Sequence, residues 1–218
     1  FRLLLFLSII QFGLFLAMIL RIAMLSGISW LIQIKTTLFN VNLDWFSSNI
    51  SIQTLILLAG GLFLLYKSTI EIFQKVEDIE EDPINKNLKS ISYSRALFQI
   101  ILIDIVFSFD SILTAVGMTN GIPYALWIMM ISVIVSIIIM MSFAAPVSRY
   151  INKHPSLQIL GLSFLLLIGF MLIAESAYLS NTTFFGSSMG RIPKGYLYFS
   201  ITFSLGIEMI NMRIRKVK

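Results

Sequence analysis

The feature that most constrains this chain is a series of long apolar runs that carry no charge. Crossing the hydrocarbon core of a bilayer takes roughly 20 apolar residues in a helix. Continuous stretches such as Ile131–Met141 do not alternate as barrel strands would. Of the 218 residues, 57% are hydrophobic and 12% are charged, against about 45–50% and about 25% in soluble domains. These properties exclude a soluble enzyme, a secreted disulfide scaffold and a disordered regulator.

We therefore predict an all-α fold, a polytopic bundle of transmembrane helices. The six predicted spans are Leu3–Ile32, Ile50–Tyr66, Ala96–Met118, Ile122–Val147, Leu157–Tyr178 and Tyr196–Met212. Residues 1–218 are predicted to form a single transmembrane domain, and residues 67–95 a polar cytoplasmic loop between two halves. A second connection, Asn181–Lys194, is rich in Gly, Ser and Thr and is predicted to be mobile.

Positive charges predict the orientation of the spans. With successive connections placed on alternate sides of the membrane, twelve of the sixteen basic residues fall on one side and three on the other. The twelve are Arg2, Lys67, Lys75, Lys86, Lys89, Arg95, Arg149, Lys153, Arg213, Arg215, Lys216 and Lys218, and the three are Lys35, Arg191 and Lys194. Because cytoplasmic connections carry the excess of Lys and Arg, the C-terminus is predicted to be cytoplasmic.

A weak internal repeat relates two of the spans. Ile56–Glu71 aligns with Leu160–Glu175 at several Leu positions and at the final Glu, and the predicted topology makes these helices run in opposite directions. The chain begins at Phe1 and enters an apolar run almost at once, which we interpret as a fragment that lacks upstream sequence, where one more helix is expected. With that helix, seven spans would form a three-plus-three inverted repeat and a last helix, an arrangement typical of transporters.

Five charged residues fall inside predicted spans: Arg21, Asp104, Asp110, Glu175 and Glu208. A charge at the bilayer centre costs on the order of 3 kcal/mol on insertion scales, so such residues face a protein interior or water and are usually functional. Glu175 and Glu208 lie close to helix ends, where we expect water to reach. Arg21 is expected either to neutralise an acidic site or to hold two helices together.

Asp104 and Asp110 share one predicted helix. At about 100° per residue the two carboxylates lie roughly 120° apart, so a straight helix does not aim both at one point. Ser108 and Ser111 share a face with Asp104, whereas Asp110 aligns with Thr114. Two interpretations remain open: the helix is locally unwound, or each carboxylate serves a different partner.

The chemistry of these side chains indicates hard cations. Carboxylate and hydroxyl oxygens suit protons, Mg²⁺, Mn²⁺ or Ca²⁺, and a chain with no Cys and one His does not favour zinc or soft metals. The alternative is that each acid is protonated or pairs with Arg21 as a structural link. His154 is predicted to be a turn residue, and Gly60–Gly61 is predicted to permit close helix packing. No nucleotide, catalytic or nucleic-acid motif is present, so we expect no enzyme activity, no cofactor and no nucleic-acid partner.

Asp104–Thr119 (DIVFSFDSILTAVGMT) resembles the second signature of the TerC family of integral membrane proteins. Leu57–Ile70, Phe143–Leu167, Ile192–Tyr198 and Phe203–Asn211 also resemble the family's bacterial inner-membrane branch. The resemblance implies a seven-helix fold with inverted repeats, and export of divalent cations, chiefly Mn²⁺.

The matching site positions are Asp104, Ser108, Asp110 and Ser111, which the resemblance implies as metal ligands. Arg21, Glu175 and Glu208 also match family positions, with less defined roles. The family's first helix carries an equivalent acidic signature that this chain lacks.

Two functional hypotheses follow. The first is an inner-membrane, multi-pass exporter of a divalent cation such as Mn²⁺, with protons as a candidate counter-ion and with lipid and the cation as partners. The second is a non-transporting membrane protein that assists assembly, insertion or stress resistance, in which the intramembrane charges link helices.

Overall fold

The computed structural model describes residues 37–80, 93–119 and 122–217, together with residues 19, 22, 23, 25 and 27. For residues 78–80, 93–97 and 215–217 it describes the backbone only. The predicted span Leu3–Ile32 lies almost wholly outside the described residues, as do Arg21 and Lys35.

The described residues form five long helices and one small sheet. In chain order the elements are β1 (Thr37–Leu43), β2 (Phe46–Ser51), α1 (Ile52–Glu80), α2 (Tyr93–Thr119), α3 (Ala125–Asn152), α4 (Pro155–Leu179), β3 (Thr183–Phe184), β4 (Ser187–Ser188) and α5 (Lys194–Val217). The protein is mostly helical, but the prediction of an all-α fold is wrong because β1–β4 pair as a four-stranded antiparallel sheet.

Four helices among the described residues are long and apolar enough to cross a membrane. They cover Ile52–Glu77, Phe98–Thr119, Ala125–Asn152 and Pro155–Leu179. These correspond to four of the predicted spans. The last predicted span, Tyr196–Met212, lies within α5, which is a helix but is not one of these four. That α5 crosses the membrane stays a prediction.

The polar connection predicted over residues 67–95 is shorter than expected. Helix α1 continues to Glu80, and α2 begins at Tyr93. An i,i+4 ion pair between Lys67 and Glu71, with the charged atoms 3.1 Å apart, lies on this extension of the helix. Residues 67–80 of the predicted loop are therefore helical, and residues 81–92 lie outside the described residues. The cytoplasmic location of the connection stays a prediction.

Contacts divide the chain into two compact units. The sheet unit consists of Thr36–Lys86 and Ile151–Lys218, and the aspartate unit consists of Phe1–Lys35 and Asn87–Tyr150. The helices of the internal repeat, α1 and α4, lie together in the sheet unit.

Helices α1 and α4 pack against each other in antiparallel orientation. Ser176 near the end of α4 donates a hydrogen bond to the carbonyl oxygen of Thr54 near the start of α1, at 2.7 Å. Further along, Gly61 packs directly on Gly169. The predicted opposite directions of the repeat helices are thus confirmed, as is the role of Gly61 in close packing. The rest of the inverted-repeat prediction stays a prediction.

The sheet continues this antiparallel pairing. Ser47 pairs with Thr183 in β2 and β3, and the numbers of the two residues add to the same total as in the Thr54–Ser176 and Gly61–Gly169 pairs. Strand β1 pairs with β2 through the turn at Asp44–Trp45. The segment Asn181–Lys194, predicted to be mobile, contains β3, β4 and a turn with positive φ at Phe185 and Gly186. It forms part of the sheet.

The aspartate unit has its described core between α2 and α3. Leu25, Ile112 and Met129 form a buried cluster. Helix α3 is predominantly apolar, and few of its side chains are buried. A helix that exposes apolar residues on most of its surface is suited to lipid.

Helix α4 begins as predicted. Pro155 is its first residue, and His154 occupies the N-cap position in an extended conformation. The missing N–H of Pro removes one of the donors that a helix start leaves unsatisfied. His154 is therefore a turn residue.

Candidate functional site

Asp104 and Asp110 lie on one continuous α-helix. Helix α2 is unbroken from Tyr93 to Thr119, so the interpretation of a locally unwound helix is wrong. The two residues are about 9 Å apart along the axis and roughly 120° apart around it. The structure favours the other interpretation, in which each carboxylate serves a different partner.

The two carboxylates flank a buried face of α2. Between and beside them, Val106, Ser108 and Phe109 are buried. Asp104 and Asp110 are both half-buried, and helical geometry puts them at opposite edges of the buried arc. Each carboxylate therefore lies at a boundary between the packed face and the exposed face of the helix.

Ser108 is the hydroxyl that the structure places beside a carboxylate. Its side chain is 2% exposed, and its Oγ donates to Oδ2 of Asp104 at 3.5 Å. This is long for an O–H···O bond, whose usual length is about 2.7–2.8 Å. Asp104 and Ser108 therefore lie on one face of the helix, as predicted. The distance between their oxygen atoms is longer than that of an ordinary hydrogen bond.

The other two hydroxyls near the carboxylates, those of Ser111 and Thr114, donate hydrogen bonds to backbone carbonyl oxygens of α2. Ser111 is exposed and donates to the carbonyl oxygen of Phe107 at 2.8 Å. Thr114 donates to the carbonyl oxygen of Asp110 at 2.9 Å. Because both protons are used, Ser111 and Thr114 present oxygen lone pairs rather than free donors. Such oxygens can still act as ligands for a cation.

The described part of the chain contains no group of three or more His, Cys, Asp or Glu side chains that could hold a metal ion. A hard divalent cation takes six or more oxygen ligands in most protein sites. At Asp104 or Asp110 these ligands would have to include hydroxyl or carbonyl oxygens, or water.

Glu175 has a partner that the sequence did not reveal. It lies on the penultimate turn of α4 and is 9% exposed. Arg191, in the segment between β4 and α5, places its Nε 3.6 Å from Oε1 of Glu175. Sixteen positions and a hairpin separate these two residues, and only the pairing of opposite charges across the connection could have suggested the contact.

Glu208 lies on α5 with one buried carboxylate oxygen. Its Oε1 has no hydrogen-bond partner among the described residues, and the same holds for Oγ of Ser68 on α1. Arg21, the base predicted to neutralise an acid, lies outside the described residues.

A chain of buried hydroxyls joins the sheet to the helix pair. Ser48 contacts Thr182 through their hydroxyls at 3.1 Å, and Thr182 contacts Ser180 at 2.7 Å. Ser180 donates to the carbonyl oxygen of Ser176, whose own hydroxyl reaches α1 at Thr54. The sequence does not reveal this network, because its members come from two segments more than 120 residues apart.

The fold and the charges define a polytopic helical membrane protein. The pattern of the TerC family, described as "Integral membrane protein TerC family", matches residues 8–218. The chain belongs to this family.

Several bacterial proteins are similar over almost the whole chain. A UPF0053 protein of Haemophilus influenzae is 40% identical over 94% of this chain and 78% of its own length. The UPF0053 inner membrane protein YgdQ of Escherichia coli is 39% identical over 93% of this chain and 76% of its own length. The longer inner membrane protein YoaE of Escherichia coli is 39% identical over 94% of this chain, which covers 36% of that protein. No solved structure matches the chain.

Proposed function

We propose that this protein is an inner-membrane transporter that exports a divalent cation such as Mn²⁺. The observation that carries the proposal is the pair of half-buried carboxylates, Asp104 and Asp110, on an unbroken helix long and apolar enough to cross a membrane. Acids on such a helix are costly, so they face a protein interior or water and usually mark an ion or proton pathway.

The positions of the two carboxylates suggest successive rather than shared binding. A cation held by Asp104 and Ser108 would lie roughly one and a half turns from one held by Asp110. Two weak sites in series suit transport better than one strong site. A cation bound by all of the ligands at the same time would be released slowly.

The choice of ion rests on oxygen chemistry and on the family. Carboxylate and hydroxyl oxygens favour Mg²⁺, Ca²⁺ and Mn²⁺ over soft metals, and the resemblance of Asp104–Thr119 to the TerC signature points to Mn²⁺ among these. Protons can occupy the same carboxylates when the metal leaves, which makes them the natural counter-ion.

The proposal also includes the membrane in which the protein lies and the orientation of its helices in that membrane. YgdQ and YoaE are named inner membrane proteins, and we assign the same membrane to this chain. The excess of Lys and Arg at one set of connections supports a cytoplasmic C-terminus. In that orientation the sheet lies on the opposite side of the membrane from Lys153.

The test is Mn²⁺ accumulation in cells. A bacterial strain that is sensitive to Mn²⁺ should accumulate less of the ion when it expresses the protein, as measured by mass spectrometry of washed cells. Asp110→Asn should restore high accumulation while its abundance in the membrane stays normal. Asp44→Asn is the matched control, because Asp44 lies at the exposed turn between β1 and β2.

The competing function, assistance in assembly or insertion of other proteins, makes a different prediction. If the intramembrane acids only link helices, Asp104→Asn lowers the abundance of the protein in the membrane. If they bind the transported ion, abundance stays normal and export is lost. Unchanged Mn²⁺ accumulation on expression of an abundant wild-type protein would overturn the proposal.

A further inference from the structure

The small sheet β1–β4 has one apolar face and one polar face. Residues directly opposite each other in a ladder point to the same face, and successive residues of a strand point to opposite faces. The pairing therefore defines an apolar sheet face that consists of Phe39, Val41, Leu43, Phe46, Ile50 and Phe184, together with Ser48 and Ser187. The opposite face carries only polar side chains, those of Asn40, Asn42, Ser47, Asn49, Thr183 and Ser188.

The outer part of the apolar sheet face is not covered by the fold. Phe39 is 52% exposed, Leu43 is 53% exposed and Phe184 is 40% exposed. Strands β1–β4 contain no charged residue, although an edge strand in water is normally protected by Lys, Pro or an inward-pointing charge. Strand β1 is such an edge in the described sheet. A contiguous exposed apolar patch of this kind marks a contact with protein or with membrane.

Two exposed aromatic residues extend this surface at the turns of the sheet. The ring of Trp45 lies 5.9 Å from that of Phe46 and 6.4 Å from that of Phe185, measured between centroids. Phe185 is 83% exposed, and both it and Gly186 have positive φ, where a hairpin turn prefers Asn-Gly. An exposed Phe in this conformation contributes little to folding. Trp is enriched at the interface between membrane and water, so the tip of the sheet has the composition of an interfacial contact.

The sheet begins where two helices of membrane-crossing length begin or end. Strand β2 ends at Ser51, one position before α1 begins, and α4 ends four positions before β3 begins. From this junction an exposed apolar stripe continues along α1 through Ile52, Leu55, Leu58 and Leu62. Such a stripe on a helix that can cross a membrane is in contact with lipid. Ile50 of the apolar sheet face precedes Ile52 by two positions, so the two apolar surfaces adjoin.

The thickness of the membrane indicates how the sheet lies. Each interfacial region extends about 5–8 Å beyond the hydrocarbon core. Strand β2 has six residues, which at about 3.3 Å per residue extend about 20 Å. If the strand stood along the membrane normal, Phe46 and its partner Leu43 would lie in water beyond the headgroups. A sheet inclined onto the membrane keeps these side chains in contact with lipid.

We propose that the apolar sheet face, with Trp45 and Phe185, lies on the lipid surface and anchors the sheet unit there. The polar face, which includes Asn40 and Asn42, is turned to water. Hydroxyl contacts of Thr182 with Ser48 and with Ser180 join the sheet to the end of α4, so the anchor also holds the helix pair at a fixed depth. The anchor uses none of the proposed transport residues and does not depend on transport.

The experiment measures the depth of a single tryptophan in proteoliposomes that contain the purified full chain. The three native Trp residues are replaced by Phe, and one Trp is then introduced by Leu43→Trp or by Asn42→Trp. These neighbours are both exposed but lie on opposite faces of β1, so they are matched controls for each other. Because an interfacial apolar face lies about 5–10 Å deep, lipids brominated near the top of their acyl chains should lower the emission of Leu43→Trp at least about twofold. The emission of Asn42→Trp should change little in these lipids, and acrylamide in the water should quench it more strongly than that of Leu43→Trp.

Equal quenching of the two variants by brominated lipid would overturn the proposal. A Leu43→Trp protein shielded from both acrylamide and brominated lipid would also overturn it, because that result shows a protein partner, such as a second copy of the chain, on the apolar sheet face. If either variant does not fold, Phe39→Trp and Asn40→Trp repeat the comparison one pair earlier on β1 and have the same expected results.

Discussion

Gly61 of α1 and Gly169 of α4 pack so closely that a Cβ atom on Gly61 would lie 2.8 Å from the carbonyl oxygen of Gly169. The same Cβ would lie 2.7 Å from Cγ1 of Ile173. Real Cβ atoms do not approach a backbone oxygen to this distance, so the two helices can touch here only because both positions lack a side chain. Small residues that let backbones approach are the usual basis of helix packing in membranes.

The first prediction concerns this contact. Gly61→Ala should lower the free energy of unfolding by about 1–3 kcal/mol, because the helices must separate to admit the methyl group. Gly161→Ala on α4 is the control, since a Cβ there would meet nothing within 4 Å. Thermal unfolding of the two purified variants in detergent compares them directly. Equal unfolding temperatures would show that α1 and α4 do not pack at Gly61.

The second prediction concerns the hydrogen bond at the other end of the pair. Ser176→Ala removes the 2.7 Å bond from Ser176 Oγ to the carbonyl oxygen of Thr54 and should cost about 1 kcal/mol of stability. The control is Ser163→Ala on the same helix, because Ser163 is exposed and bonds only to its own helix at Ile159. A Ser176→Ala protein as stable as Ser163→Ala would contradict the contact between the two helices.

How much of this could be predicted from the sequence depends on how local each feature is. The apolar spans and the start of α4 at Pro155 are local, and they were predicted. The close approach at Gly61 follows from its small size, but its partner Gly169 lies 108 positions away, and nothing in the sequence pairs the two.

The complete sheet could not be predicted because two of its four strands, β3 and β4, are short and lie far along the chain from β1 and β2. Phe39, Val41 and Leu43 do alternate with Asn40 and Asn42 before the turn at Asp44, which is a pattern typical of a strand. Strands β3 and β4, however, have two residues each. Strand β3 follows α4 in the chain and pairs with β2, and β4 pairs with β3. No periodicity can be read from two residues, so Asn181–Lys194 looked like a loop.

The third prediction tests whether α2 is continuous at the candidate site. The chain contains no cysteine, so thiols can be introduced singly or in pairs without background. Asp104→Cys with Ser108→Cys places two thiols one turn apart on one face, and the pair should bind one Cd²⁺ tightly. Asp104→Cys with Asp110→Cys places them about 9 Å and roughly 120° apart, and this pair should not bridge a single ion.

Protection of the thiols from alkylation by Cd²⁺ measures this difference. Protection of the 104–110 pair at the concentration that protects the 104–108 pair would show that the helix unwinds between the two aspartates.

The fourth prediction concerns orientation. Lys153 and Gly190 lie beyond opposite ends of α4, and both are exposed. A membrane-impermeant thiol reagent added to intact spheroplasts should label Gly190→Cys at once, and Lys153→Cys only after the membrane is permeabilised, because the basic connections remain in the cytoplasm. The reverse labelling order would invert the topology.

Whether Asp104 and Asp110 bind the transported ion can be measured as Mn²⁺ flux in proteoliposomes that contain the purified full chain and a Mn²⁺-sensitive dye. We expect Asp44→Asn to transport at the wild-type rate, and Asp104→Asn combined with Asp110→Asn to reduce the flux to that of empty liposomes at equal protein content. A doubly substituted protein that still transports Mn²⁺ at the wild-type rate would show that these two carboxylates do not bind the transported ion.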